Sequence, residues 1–210
     1  MRKKSTLIYP ELSYNMNNTY FILRHGQTIF QTKNKEFMYP WPETAPVKLT
    51  ERGKRQIKKS AKLLKTKGID VIYSSDVFRT RQTAGIAAKE LGLKVIFDTR
   101  LRDINLGIYH GGKKEEFYRD FQRDNPKRFS KRPKGGESWN DLKRRMKNFI
   151  RNVDKKYENK NILIISHGDP LWLLEKAVVK GLSNQELLGE ISLKKKYIQP
   201  GEVRKLYEPR

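Results

Sequence analysis

The 210-residue chain contains no cysteine, which excludes a disulfide framework and any thiolate metal or redox centre. Long apolar runs are missing too. The N-terminal "MRKKSTLIYPELSYN" opens with basic residues, but its apolar stretch of Leu7, Ile8 and Tyr9 is too short for a signal-peptide core. Elsewhere nothing approaches the roughly 20 consecutive apolar residues of a membrane-spanning helix. We therefore expect a cytoplasmic chain with no membrane partner. There is no fixed-period repeat, no low-complexity tract, no Walker-type loop and no GxGxxG fingerprint. Histidine is scarce, at three residues, and no His/Asp/Glu set has ligand spacing, so neither metal nor cofactor is expected. Acids are outnumbered, 23 against 46 Lys and Arg, a net charge of +23. Such an excess admits two readings: a polyanion partner such as RNA, or basic charge spread over solvated faces.

What is present points to one α/β domain. Continuous apolar runs at 19–24, 71–75, 94–97 and 161–166 read as strands buried on both faces. Amphipathic stretches lie between them. Thr50 opens one, with Ile57, Ala61 and Leu64 on a face and Gly68 as its stop; Asp76 is expected to cap a second ending at Gly92. A third runs from Ser138 to Tyr157, a fourth from Pro170 to Gly181, and Ser183 to Glu186 forms a capping box. Alternating strands and helices predict a three-layer sandwich, a mostly parallel sheet with helices on both faces. Residues 104–137 break the alternation and read as an inserted cap with a short helix near 113–123. Residues 1–18 form an N-terminal extension to a domain spanning 19–210.

Two strand ends share a pattern: "FILRHG" and "LIISHG" each run from apolar residues through one polar residue into His-Gly, at His25 and His167. Ligands of open α/β sheets bind beyond such strand ends, so the two imidazoles are expected to face one another. In "SSDVFRTRQTA", Arg79 falls in the first turn of a helix, where the dipole and free N–H groups favour an anion.

With these residues the chain resembles the histidine phosphatase superfamily, which includes cofactor-dependent phosphoglycerate mutases and many phosphomonoesterases. The motifs follow in the family's order: "LRHGQT", "LTERGKRQ" (49–56), "SSDVFRTRQTA", "LRDINLGIYHG" (101–111), "GGESWNDLKRR" (135–145) and "ISHGDP" (165–170). The resemblance implies that His25 is the nucleophile and becomes phosphohistidine, that Arg24, Arg79 and His167 hold the phosphoryl oxygens, and that Asp103 is the proton donor. Gly26 leaves room for substrate oxygens; Thr28 and Gln31 are further phosphate-binding candidates. Three departures stand out. Asp103 replaces the family's usual glutamate, with Glu115 and Glu116 as fallback acids. Gln31 stands where the family often has asparagine, and His110 replaces a carboxylate, as a substrate contact or a surface histidine.

Asp103 and His167 are 64 residues apart, the compact spacing of phosphatases, so a phosphoric monoester hydrolase acting on a small phosphorylated substrate is expected. A phosphoglycerate mutase-type phosphotransferase is the alternative. A second alternative is a catalytically weak RNA- or polyanion-binding protein using the basic cap and the run Lys194-Lys195-Lys196. Monomer and homodimer both remain open.

Overall fold

A computed structural model describes residues 16–43, 45–122, 125–192 and 197–209. The run 194–196 lies outside them. Five strands form one sheet in the order β3-β2-β4-β1-β5: β1 (Thr19–Arg24), β2 (Val71–Ser74), β3 (Val95–Phe97), β4 (Asn161–Ser166) and β5 (Val203–Tyr207). The first four are mutually parallel, and β5 runs antiparallel to β1. The helices are α1 (Ile29–Lys33), α2 (Glu51–Lys65), α3 (Phe78–Leu91), α4 (Lys114–Asp120), α5 (Trp139–Lys156), α6 (Gly168–Leu173) and α7 (Asn184–Ser192).

The apolar runs are continuous because successive side chains of the central strands enter two separate cores. Ile22, Ile162 and Ile164 pack with Leu142, Met146 and Phe149 of α5, while Phe21, Leu23, Leu163 and Ile165 pack with Ile57 and Ala61 of α2 and Ala84 and Ala87 of α3. Full burial of such side chains contributes about 1.5–3 kcal/mol each. The run at 94–97 departs from expectation: β3 is an edge strand, and Ile96 and Phe97 are exposed. The antiparallel β5 has no counterpart among the predicted strands, since "VRKLY" is too polar to read as a buried run.

Helix ends follow local chemistry. Thr50 caps α2 by accepting from Gly53 N–H at 2.9 Å, and Ser138 with Asp141 closes a capping box on α5. Helix α2 stops at Lys65, short of Gly68, and α3 stops before the left-handed Gly92. Asp76 is not the cap of α3. Val77 holds that position without a side-chain bond, because Arg102 draws both Asp76 oxygens away at 2.7 and 2.5 Å. Nor does the fourth helix wait for Pro170; α6 starts at Gly168 and continues as a π-helical turn over Leu174–Val179.

Most basic residues of α2 and α5, among them Arg55, Lys58, Lys62, Lys147 and Arg151, lie on exposed faces. No helix among the described residues is long and apolar enough to cross a membrane.

One close crossing positions the loop after β1. A Cβ on Gly53 would stand 2.1 Å from the Gln27 carbonyl oxygen, and one on Gly26 would stand 2.6 Å from that of Gly53. Gly26 is therefore required by its crossing with α2. Gly53→Ala is expected to lower stability by about 3 kcal/mol, because neither backbone can yield without moving α2 or the β1 exit. Urea unfolding of the two proteins reads this directly; a loss below about 1 kcal/mol would show that the crossing adapts.

Candidate active site

The two His-Gly pairs meet because β1 and β4 are parallel and in register from Thr19↔Asn161 to Arg24↔Ser166. His25 and His167 are the next residues on each strand. His25 N–H donates to the Ser166 carbonyl at 3.1 Å, and the imidazole centroids stand 5.4 Å apart at an interplanar angle of 61°.

Both rings are buried, and each has one nitrogen assigned. His25 Nδ1 lies 2.8 Å from the Gly26 carbonyl oxygen, which can only accept, so Nδ1 carries the proton and Nε2 keeps its lone pair. His167 Nε2 is 2.9 Å from Ser75 Oγ, while its buried Nδ1 has no hydrogen-bond partner and sits 3.8 Å from Asp103 Oδ2. Burial, followed by the charges of Arg79 and Arg24, holds the His25 pKa well below the ordinary histidine value. His167 is depressed likewise, by burial and then Arg79.

Neutral buried histidines link stability to pH. Unfolding releases them to an ordinary pKa near 6.5, so below that pH the unfolded chain takes up protons that the native one refuses. Stability from this source is complete above about pH 6.5 and is lost as pH falls, by ~1.4 kcal/mol per pH unit for each histidine. Denaturant midpoints measured at pH 7, 6 and 5 check this; H25N should flatten the decline, and an equal slope in both proteins would contradict it.

Arg79 is 3% exposed and reaches in from the first turn of α3. Its guanidinium lies over the Tyr39 ring at 4.1 Å, with Nη1 donating to Glu43 Oε1 at 2.9 Å and Nη2 to Asp103 Oδ2 at 3.4 Å. Arg24 ends β1, donates from Nη1 to the Ile198 carbonyl at 2.8 Å, and keeps a buried Nε with no partner. Thus two guanidinium groups, two neutral imidazoles and one carboxylate converge on one sheet edge.

Asp103 is held by its loop. Arg145 of α5 donates to the carbonyls of Arg100, Arg102 and Asp103 at 2.5, 2.8 and 2.9 Å, and its fork is closed by Glu137. Glu137 also accepts from Asn105 N–H at 3.0 Å. The "GGES…R" motif therefore shapes the backbone that carries the acid. Burial raises the Asp103 pKa, Arg79 opposes this, and the nearby Asp169 adds to it.

A cavity of about 390 Å³ opens beside these groups. Tyr39, Trp41, Arg79 and Asp103 line it together with Phe117, Tyr118 and Arg128 of the 104–137 segment. Arg128 is 7% exposed; its guanidinium stacks 4.2 Å above Trp139, and its nearest carboxylate oxygen, on Asp169, is 4.0 Å away.

The remaining predicted residues have hydrogen-bond partners within the protein. Thr28 and Gln31 form the capping box of α1: Gln31 N–H donates to Thr28 Oγ1 at 3.1 Å and Thr28 N–H to Gln31 Oε1 at 3.0 Å. Thr28 Oγ1 also pairs with the Tyr39 hydroxyl at 2.7 Å. His110 lines the cavity with both nitrogens engaged, Nε2 accepting from Leu106 N–H at 2.9 Å and Nδ1 donating to the Tyr39 carbonyl at 3.1 Å. It pins two loops together at the cavity wall. Glu115 and Glu116 are exposed on α4, away from the cavity wall, so neither stands where a fallback acid would need to be. Missed by the sequence reading are Glu43, Tyr39 and Ser75. The first two sit in "FMYPWPETAPV", which carries no periodicity; Ser75 stood within a recognised motif without a role. Among the described residues, no three His, Asp or Glu are grouped as a metal site.

Comparisons with known proteins agree with this geometry. The family model of the histidine phosphatase superfamily (branch 1) matches residues 20–190. A probable phosphoglycerate mutase GpmB of Erwinia tasmaniensis is 30% identical over 172 residues, 79% of this chain and 77% of that protein. Phosphoserine phosphatase 1 of Hydrogenobacter thermophilus is 35% identical over 128 residues, 59% of this chain and 60% of its own length. Among solved structures, Bacillus stearothermophilus YhfR superposes with a TM-score of 0.75 at 25% identity, covering 89% of each chain. A mycobacterial glucosyl-3-phosphoglycerate phosphatase shares the fold with a TM-score of 0.72 at 23% identity over 88% of each chain. With a match that takes in strands β1 to β4, both His-Gly strand ends and Arg79, the chain belongs to the histidine phosphatase superfamily, branch 1.

Proposed function

We propose that the chain is a metal-independent phosphomonoesterase that works through a phosphohistidine on His25. The observation that carries this reading is the His25 ring itself, buried, neutral, tethered through Nδ1 and presenting Nε2 toward the edge where Arg24, Arg79, His167 and Asp103 converge. In the first step the Nε2 lone pair forms a bond to phosphorus as the bond to the leaving oxygen breaks, and Asp103 gives that oxygen its proton. In the second, Asp103 accepts a proton from water, the water oxygen bonds to phosphorus, and the N–P electron pair returns to Nε2. The guanidinium groups hold the equatorial oxygens, where phosphoryl transfer needs charge stabilisation and alignment more than covalent machinery.

Asp103 is one methylene shorter than the family's glutamate, and a shift of about 1 Å can cost on the order of a hundredfold in rate. The Arg145 clamp on the carbonyls of Arg100, Arg102 and Asp103 supports the view that the loop backbone makes up the reach. The compact spacing of 64 residues between Asp103 and His167 favours water over a second substrate as acceptor. Segment 104–137 acts as the cap in this reading, and Arg128 in its wall suits a substrate with a second anionic group. The test is release of phosphate from p-nitrophenyl phosphate with a chelator present, together with alkaline denaturing quench after a ³²P-labelled phosphoester and a later acid challenge. Turnover and an acid-labile, alkali-stable phosphoprotein are expected. A bisphosphoglycerate-dependent mutase rate well above hydrolysis would reassign the acceptor.

A further inference from the structure

Glu43 lies in the proline-rich stretch between α1 and α2 and has no part in the chemistry so far. Its side chain is 9% exposed, and Oε1 accepts from Arg79 Nη1 at 2.9 Å. The other arm of the same guanidinium reaches Asp103 only at 3.4 Å. Arg79 thus stands between two carboxylates, and the nearer is not the one placed to serve as acid. An anion beside a phosphoryl site repels the substrate, so this carboxylate works against binding unless it does something else.

Asp103 must hold a proton when the leaving group departs. A buried guanidinium within 4 Å favours the ionised form of a carboxyl group and works against that role. A second carboxylate on the opposite edge of the guanidinium offsets the charge that Asp103 feels. The Val47 and Phe78 N–H groups hold this carboxylate in place, and Tyr39 of the same loop lies against the Arg79 guanidinium.

We propose that Glu43 is a positioning residue that holds Arg79 and takes up part of its charge, leaving Asp103 free to carry the proton for the leaving group. The inference rests on the phosphomonoesterase reading above. Several groups face Asp103: Arg79 from α3, His167 Nδ1 and Asp169 from the β4 exit, Arg24 from the β1 exit, and, from its own loop, His110 and the Ile104 N–H. Glu43 faces Arg79 and the N–H groups of Val47 and Phe78. Burial raises both carboxyl groups and Arg79 lowers both, so removing the Glu43 charge leaves Asp103 as the one carboxylate beside this guanidinium.

The test compares phenyl phosphate, whose leaving group needs a proton, with p-nitrophenyl phosphate, whose leaving group needs little help. In E43Q, kcat/KM for phenyl phosphate should fall about tenfold more than for p-nitrophenyl phosphate. The alkaline limb of the phenyl phosphate profile, where Asp103 loses its proton, should move down by about one pH unit. E43D, which keeps the charge, should restore the limb. Equal losses on both esters with an unmoved limb would reduce Glu43 to a structural tether and overturn the proposal. If E43Q does not fold, E43A read against E43D decides by the same two measurements. If the wild-type protein hydrolyses neither ester, the phosphomonoesterase reading fails first, an outcome distinct from a wild-type enzyme whose ester preference ignores Glu43.

Discussion

His25→Ala is expected to reduce phosphoester hydrolysis by on the order of 10⁴-fold or more and to abolish the acid-labile phosphoprotein. Losses of this size follow when a covalent nucleophile is removed, because the remaining groups can bind and polarise the phosphoryl group but cannot open the two-step route. His167 supplies the contrast. Its free Nδ1 near Asp103 fits hydrogen bonding to a phosphoryl oxygen, so H167A should slow turnover while the phosphoprotein still forms. Phosphate carried by His167 in the wild-type protein, or turnover within tenfold of wild type in H25A, would contradict the assignment.

Arg79→Lys should lower kcat/KM by about 10²- to 10³-fold even though the charge is kept. Lysine is a flexible point charge; it cannot span Glu43 and Asp103 with one rigid fork or lie flat over Tyr39. Binding of vanadate, an anion shaped like the pentacoordinate phosphoryl group, should weaken in parallel. A variant within threefold of wild type on both measurements would show that Arg79 is a structural ion pair and that Arg24 alone holds the anion.

The motifs show how far local sequence carries. "LTERGKRQ" can be matched as a string, yet its purpose appears only in three dimensions. Thr50 caps α2, Gly53 lies against the Gln27 backbone, and the Gln56 amide oxygen accepts from Gln27 N–H at 3.0 Å, so the motif moulds the loop beside His25. Capping at Thr50 and Ser183 was legible because those bonds span three residues. Asp76 misled for the opposite reason: its partner, Arg102, lies 26 residues away and outcompetes the local cap. The exposure of Ile96 and Phe97 was hidden because edge and centre positions depend on strand order, which hydrophobic runs do not encode. His110 could be read as surface or substrate contact; only the structure shows its ring tied to Leu106 and Tyr39 in the cavity wall.

By itself the sequence determined the α/β class, the two strand ends that bear histidine and the arginine in the first turn of α3, because periodicity, caps and strand-end glycines are short-range properties of the chain. Only the tertiary structure decided that parallel, in-register β1 and β4 set the imidazoles 5.4 Å apart, that Arg145 clamps the loop of Asp103, and that Glu43 rather than Asp103 is the nearer partner of Arg79. Those relations join residues 36 to 142 positions apart, and they arise where burial leaves a charge or a polar atom no solvent to turn to.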